Sequence, residues 1–511
     1  MIKKMESIAD ILRFRSEVMP DRLLYSFTTK TASDDYLTYA QLWDQATNLA
    51  CILKELSKSD DLLLITLKPS MNFIVCIYAC LLAGRPFLPT YPTRSIQDMA
   101  RTNSLVDRYK VSLVICDHAE SIATIDYNCP AYKFDDLLTL KSTLTSIDFR
   151  RNENNTLLFL QASSGTTRYP TAIMLNDSCL LACLENMTNA LKITDQDIGC
   201  SWLPPYHDMG LIGNIFLALY ANFPVHFIST SSFITNPLNW LKLINDHKAT
   251  ITAAPNLAYD LCASYYKKHP IQGIDLKSVR VAINSSEMIR STTINRFSDT
   301  FRSCGFQRKA FTSAYGLAEA TLMVTCDPID KEPYIQSFSQ SSLHCGVAIP
   351  CSLDAIDKID MVSSGIMVPG ITFKIVDRET LHPRKAYEIG EIWVKGTSLT
   401  QGYYLDEEKT SYTFVRPAFD ESSIYTRTGD SGFVDTEGHL FVTGRIKDYI
   451  KTHKGLVSAE EIEHTINNTL KLDPNYRTAS LLMQNQQKSE IIIIKETPRR
   501  FDFQKNIHYN I

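Results

Sequence analysis

Between residues 37 and 116 two kinds of apolar segment alternate, and no other feature narrows the possible folds as much. Residues 62–67, 87–91 and 111–116 are short, mostly apolar runs of strand length. Residues 37–42 open a helix that runs through Leu56 with Thr38 as its candidate N-cap, and residues 72–83 form another that Gly84 ends. A threonine hydroxyl can accept from a first-turn N–H, and glycine takes the left-handed conformation that stops a helix. Buried strands separated by helices predict an α/β domain with a largely parallel sheet. Residues 8–19, apolar and charged at helical spacing, predict a further helix ahead of it.

Polar clusters then follow apolar runs. Residues 157–160 lead into Ser163-Ser164-Gly165-Thr166-Thr167, then Pro170 and a second apolar run over 172–175. Successive backbone N–H groups and hydroxyls can form a donor nest for an anion, here read as the phosphates of a nucleotide. The plain alternative is a Ser/Thr-rich hairpin. After a helix over 178–191 comes Ser201-Trp202-Leu203-Pro204-Pro205-Tyr206-His207-Asp208-Met209-Gly210. Its prolines exclude a regular helix through Pro205, which leaves His207 and Asp208 on a turn before a helix from Leu211. That histidine is either a pocket wall or a surface residue beside an Asp N-cap. Residues 249–254 run into Pro255-Asn256, residues 279–283 into Asn284-Ser285-Ser286-Glu287, and Thr312-Ser313-Ala314-Tyr315-Gly316-Leu317-Ala318-Glu319-Ala320 marks a third junction. Strand ends with polar clusters suit a crevice at the carboxyl edge of a sheet. From Gly390 the pattern is β, through Thr428-Gly429-Asp430 to Gly444-Arg445-Ile446-Lys447-Asp448, where a domain boundary is expected. Beyond it lie a helix over 459–470 and strands over 478–483 and 490–495.

At 511 residues the chain is long enough for roughly two to four domains or subdomains. A net charge of −4 argues against nucleic acid as the main partner. The thirteen cysteines form no CxxC pair, which suits buried free thiols in a reducing compartment. Residues 1–22 lack the apolar core of a signal peptide, and the longest apolar stretch, 73–83, is about half of the roughly 20 residues a membrane span needs. A soluble, cytoplasmic chain is expected.

With these pieces in order, the chain resembles the adenylate-forming superfamily of acyl and aryl ligases, and within it the fatty acyl-AMP ligases. The matching segments are Leu160 to Thr167, Ser201 to Gly210, Ala254 to Asp260, Tyr315 to Thr321, Thr428 to Asp430 and Gly444 to Asp448. The resemblance implies an α/β N-terminal domain over 1–445, built of two αβ subdomains and a small β-barrel subdomain, and a short, incomplete α+β C-terminal domain over 446–511. It implies activation of a fatty acid by ATP and Mg²⁺, then transfer of the acyl group to an acyl carrier protein or a polyketide synthase carrier domain. By the same resemblance Ser163, Ser164, Gly165, Thr166 and Thr167 hold the triphosphate, and Glu319 is the Mg²⁺ ligand. Ser285, Ser286, Glu287, Ala314, Tyr315 and Gly316 line the adenine, Asp430 takes the ribose hydroxyls and Arg445 sits against ribose and phosphate. His207 and Asp208 border the α-phosphate, and Lys447 falls at a hinge between half-reactions.

Residues 335–362 correspond to an extra segment that, in fatty acyl-AMP ligases, hinders the domain motion needed for coenzyme A; acyl-CoA ligase is the alternative. Three departures stand out. Pro170 is followed by Thr171 where a lysine is usual, with Arg168 a displaced substitute. Ser285-Ser286-Glu287-Met288 replaces Gly-Ala-Glu-Pro. No Ser-Gly-Lys precedes Ile511, so the lysine that bridges the two reacting anions is expected to be missing. Such a loss costs on the order of 10²–10³ in rate. A nucleotide-binding protein with little turnover is therefore a further alternative.

Overall fold

A computed structural model describes residues 5–28, 35–117, 127–144, 156–162, 171–452, 455–469, 478–485 and 488–495. All four residues of Leu63–Thr66 and of Leu113–Cys116 are buried, as strands covered by helices on both faces must be. With Ala131–Lys133, Phe87–Pro89, Phe159–Ala162 and Ala172–Leu175 they form a six-stranded sheet, parallel except at its last pair. The helix expected after Thr38 is Tyr39–Leu56. The Thr38 hydroxyl accepts from the Gln41 N–H and the Gln41 side chain accepts from the Thr38 N–H, a reciprocal cap that satisfies two end donors. Met71–Ala83 is buried on almost every side and closes at Gly84, φ 68°. A helix apolar all round belongs between layers, and this one packs against Tyr39–Leu56.

The second sheet has nine strands. Its six central members, Leu23–Phe27, Val225–Phe227, Gly199–Ser201, Ile251–Pro255, Val281–Ser285 and Phe311–Gly316, run parallel. Asp35–Thr38 closes one edge, and Met323–Cys326 with Ile366–Met367 the other, all antiparallel. One apolar cluster links both sheets through Phe73, Phe159 and Phe216. Another packs Trp202, Trp240, Tyr259, Phe297 and Phe311 against the second sheet. The β segment is a five-stranded antiparallel sheet containing Ile371–Val376, Gly390–Gly396, Phe414–Val415, Tyr425–Val434 and Leu440–Arg445. A single turn, Ile446–Asp448, leads from it to the hairpin Tyr449–Thr452 and Gly455–Ser458, the helix Ala459–Thr469, and the hairpin Thr478–Asn485 and Lys488–Lys495. This is the mixed α/β architecture expected from the sequence. Among the described residues no helix is long and apolar enough to cross a membrane.

One local expectation needs correction. The helix near His207 begins at Asp208, not Leu211, and passes through a wide π-type turn, Leu211–Phe216, into Leu217–Ala221. The Asn214 side chain donates to the Met209 carbonyl at 2.8 Å. A side chain that takes a helix carbonyl in this way favours a widened turn. His207, not Asp208, is the N-cap, and its side chain makes no capping bond.

The second sheet also carries an acid-sensitive histidine. His226 is buried, its ring stacks on His247 at 3.6 Å, and its Nδ1 lies 2.6 Å from Ser26 Oγ. Burial, then repulsion from His247, pushes its pKa down to about 4 from the ordinary 6.5. The unfolded chain therefore takes up a proton that the folded chain refuses as pH falls through that window. Folding stability should drop there by about 2 kcal/mol, residual solvent screening allowed for. His226→Gln is expected to flatten the fall in Tm between those two pH values, measured by calorimetry. An unchanged slope would remove His226 as its source.

Candidate active site

The strands Ile251–Pro255, Val281–Ser285 and Phe311–Gly316 end side by side. A cavity of about 210 Å³ opens at their carboxyl ends, the edge where an open α/β sheet offers a crevice. Ser286, Glu287, Ala314, Tyr315, Gly316, Asp430 and Arg445 all border it. Gly316 has no room for a side chain, since a Cβ there would lie 1.8 Å from the Leu322 carbonyl oxygen. Its absence lets the antiparallel return strand close tightly. Ser286 holds a φ of 73°, a strained conformation for a residue with a side chain. A smaller cavity of about 50 Å³ shares Ser286, Ala314, Tyr315 and Gly316, and adds Ser285, Asp208 and the apolar Met187, Met209, Ile283 and Leu322.

Asp430 and Arg445 face each other across an antiparallel pair. Asp430 is 8% exposed. The Tyr315 hydroxyl donates to its Oδ2 at 2.7 Å, and Arg445 Nε lies 3.5 Å from Oδ1. Burial raises the Asp430 carboxyl, against the pull of Arg445 and the Tyr315 hydroxyl. The Glu287 carboxylate accepts from the Leu257 N–H. It thereby serves the N-terminus of Asn256–Lys268, where negative charge is favoured.

Glu319 sits on the single turn Ala318–Ala320 just past Gly316. Its carbonyl accepts from both the N–H and the hydroxyl of Thr400 at 3.0 Å, and its Oε1 accepts from the Tyr403 hydroxyl at 2.6 Å. Among the described residues no donor reaches Oε2. One hard oxygen held and one open fits a Mg²⁺ ligand, since Mg²⁺ takes one or two carboxylates and completes its shell with water and phosphate oxygens. Among the described residues no group of three or more His, Cys, Asp or Glu gathers into an all-protein metal cage.

His207 precedes Asp208, which borders the smaller cavity, and its Nδ1 lies 3.3 Å from Asp208 Oδ1. That bond raises its pKa above the ordinary value, partly offset by burial. Its loop is locked by close packing, because a Cβ on Gly210 would come within 2.1 Å of the Pro204 carbonyl oxygen. His207 and Glu319 line neither cavity. Ser163, Ser164, Gly165, Thr166, Thr167 and Arg168 lie outside the described residues. The strands on either side of them pair from Ala162 with Ala172 to Phe159 with Leu175.

Asn256 and Asn284, from the polar clusters at the strand ends, act as positioning groups through contacts that the linear sequence does not show. Asn256 accepts from the Asn284 side chain at 3.2 Å and the Arg290 N–H at 3.1 Å, and donates to Thr293 at 2.9 Å. Thr293 in turn donates to Asp260, which Arg296 pairs at 3.0 Å. This chain ties two strand ends to the helices behind them. Tyr403, which orients Glu319, has no such signal in the linear sequence.

Parallel strand ends walled by a β subdomain mark an α/β enzyme with its ligand crevice at the sheet edge. The chain belongs to the AMP-binding enzyme family, whose profile matches residues 13–404. It is 28% identical over 522 residues to the medium-chain-fatty-acid acyl-carrier-protein ligase JamA of Moorena producens, covering 99% of this chain and 87% of that protein. It is 30% identical over 518 residues to a putative fatty-acid–CoA ligase of Mycobacterium tuberculosis, covering 97% and 87%. The fold matches the crystal structure of a fatty acyl-adenylate ligase from L. pneumophila in complex with acyl adenylate and pyrophosphate. The TM-score is 0.82, with 30% identity and coverage of 98% and 88%. The expected likeness to fatty acyl-AMP ligases is borne out.

Proposed function

We propose that the chain activates a fatty acid as its acyl-adenylate, using ATP with Mg²⁺, and hands the acyl group to the thiol of an acyl carrier protein or a polyketide synthase carrier domain. The observation that carries this reading is the strand-end cavity uniting Tyr315, Gly316, Asp430 and Arg445, beside a smaller, mostly apolar cavity that shares Tyr315 and Gly316. In the first step a carboxylate oxygen bonds to the α-phosphorus, the bond to the bridging oxygen of the β-phosphate breaks, and pyrophosphate leaves. Two anions must meet, so donors and cations aimed at the phosphoryl oxygens supply most of the stabilisation. The backbone of Ser285 to Glu287 and of Ala314 to Gly316 would take the adenine, Asp430 the ribose hydroxyls, and Arg445 the ribose and phosphate. His207 would border the α-phosphate, Ser163 to Thr167 would hold the departing phosphates, and Glu319 would carry Mg²⁺, which offsets phosphate charge when bound. We read residues 1–445 and 446–511 as the two domains, with Lys447 at the hinge. Thirteen free cysteines suit a cytoplasmic setting.

The acceptor is read from the segment over 335–362. Ile335–Ser339 pairs with Lys358–Val362, and between them lies Gln340–His344. Gln340 Nε2 donates to Glu461 Oε1 at 2.7 Å, and His344 Nε2 lies 2.8 Å from the same oxygen. The segment thus grips Ala459–Thr469 beyond the hinge, a restraint that favours a carrier over free coenzyme A. JamA is named for carrier transfer and the M. tuberculosis relative for coenzyme A, so the acceptor is tested directly. Fatty-acid-dependent ATP–pyrophosphate exchange is expected, with acyl-adenylate seen by mass spectrometry and acyl transfer to a phosphopantetheinylated carrier exceeding transfer to coenzyme A. Nucleotide binding without exchange would leave a binding protein instead. Faster thioester formation with coenzyme A would reverse the acceptor.

A further inference from the structure

Lys409 projects from the helix Glu407–Thr413. Its Nζ donates to Thr171 Oγ1 at 3.0 Å and stands 4.1 Å from the centre of the Tyr403 ring. The hydroxyl of that tyrosine donates to Glu319. One half-buried ammonium therefore touches both the residue that follows Pro170 in the sequence and the tyrosine that orients the candidate metal ligand. Thr171 itself is buried.

Glu319 and Asp406 attract the charge of this lysine from a distance, but neither forms an ion pair with it among the described residues. Among the described residues no carboxylate lies within 4.0 Å of the ammonium; its close partners are a hydroxyl and a ring face. Asp406, three residues earlier, accepts from the Lys409 N–H at 3.0 Å and pairs with Arg108 at 3.9 Å. Hydroxyl and ring hold an ammonium in place without neutralising it. A partly desolvated charge left in that state favours the arrival of an anion.

We propose that Lys409 is the cation that binds the β- and γ-phosphates of the nucleoside triphosphate and the pyrophosphate that leaves, in place of a lysine at position 171. This rests on the ATP-dependent reading above. Lys409 belongs to the Thr171–Glu319 side of the site, whereas Asp430 and Arg445 face the cavity assigned to the nucleoside. Its contribution should therefore distinguish ATP and pyrophosphate from AMP.

The test uses the full chain and calorimetric binding of MgATP, magnesium pyrophosphate and AMP. Lys409→Met keeps the apolar stem and removes the charge. It is expected to weaken MgATP and pyrophosphate by about 10- to 100-fold, the range of a charge-assisted contact, with AMP within about twofold of the parent. Lys409→Arg should recover most of the triphosphate affinity. A lysine that only braces Tyr403 would lower Tm and weaken AMP and ATP together, or change neither affinity, and either result overturns the proposal. If the parent binds neither MgATP nor AMP, the nucleotide reading falls together with this one. If the parent binds both and Lys409→Met keeps full MgATP affinity, only the role of Lys409 is lost.

Discussion

Glu319→Gln is expected to lower fatty-acid-dependent ATP–pyrophosphate exchange by about 10²- to 10³-fold, an effect of about 3–4 kcal/mol on the transition state. The substitution keeps the shape of the side chain, and the amide oxygen can still accept from the Tyr403 hydroxyl that now lies 2.6 Å from Oε1. The turn is also held through its backbone, by the two bonds from Thr400 to the Glu319 carbonyl. Folding should therefore survive, with a Tm close to the parent's. What disappears is the negative, hard oxygen at the open Oε2 position, where Mg²⁺ would be held against the phosphates. The variant should accordingly need a higher Mg²⁺ concentration for half-maximal exchange. Tyr403→Phe leaves the carboxylate but frees its orientation, and losses of about tenfold are typical of such supporting contacts. Exchange by Glu319→Gln within about threefold of the parent, at limiting Mg²⁺, would remove Glu319 as the metal ligand.

The contrast between Glu319 and its supports shows where linear reading succeeds. Capping is local, so Thr38 with Gln41 and the stop at Gly84 are visible in a few residues. Buried parallel strands are legible because both faces are covered, which makes residues 63–66 and 113–116 almost wholly apolar. Polar clusters at the ends of such runs are legible too, because the topology of a parallel sheet brings those ends to one edge. That is why Ser286, Tyr315 and Gly316 stand out as one crevice edge, whereas Asp430, on an antiparallel strand of the β segment, is reached only through the family resemblance. Long-range pairings leave no such trace. Tyr403 reaches Glu319 across 84 residues and Lys409 reaches Thr171 across 238, and neither sits in a motif. Thr171 by itself reads as a lost cation; the three-dimensional arrangement brings an ammonium against it from the helix Glu407–Thr413. The wide turn at Leu211–Phe216 was hidden for a related reason, since it depends on where the Asn214 side chain sends its hydrogen bond.

Asp430→Asn should weaken ATP and AMP alike, by about 30- to 300-fold, the equivalent of about 2–3 kcal/mol for lost bonds to a charged acceptor. A carboxylate offers about four lone-pair sites on two oxygens. In Asp430 the Tyr315 hydroxyl takes one at 2.7 Å, and Arg445 approaches another at 3.5 Å, leaving capacity for two ribose hydroxyls. An asparagine turns one oxygen into a donor and removes the charge that draws those hydroxyls in. Because burial raises the Asp430 carboxyl, its charged form is lost at a higher pH than that of an ordinary carboxylate. Nucleotide affinity of the parent should therefore fall on acidification sooner than an exposed carboxylate would allow, and the variant should lack that dependence. The sharper readout compares ATP with its 2′-deoxy and 3′-deoxy forms. In the parent each missing hydroxyl should cost about tenfold in affinity. In Asp430→Asn both penalties should shrink to less than about threefold, because two changes at one hydrogen bond are not additive. Equal deoxy penalties in the two proteins would place the ribose away from Asp430, and the nucleoside would then have to enter the 210 Å³ cavity in a different orientation.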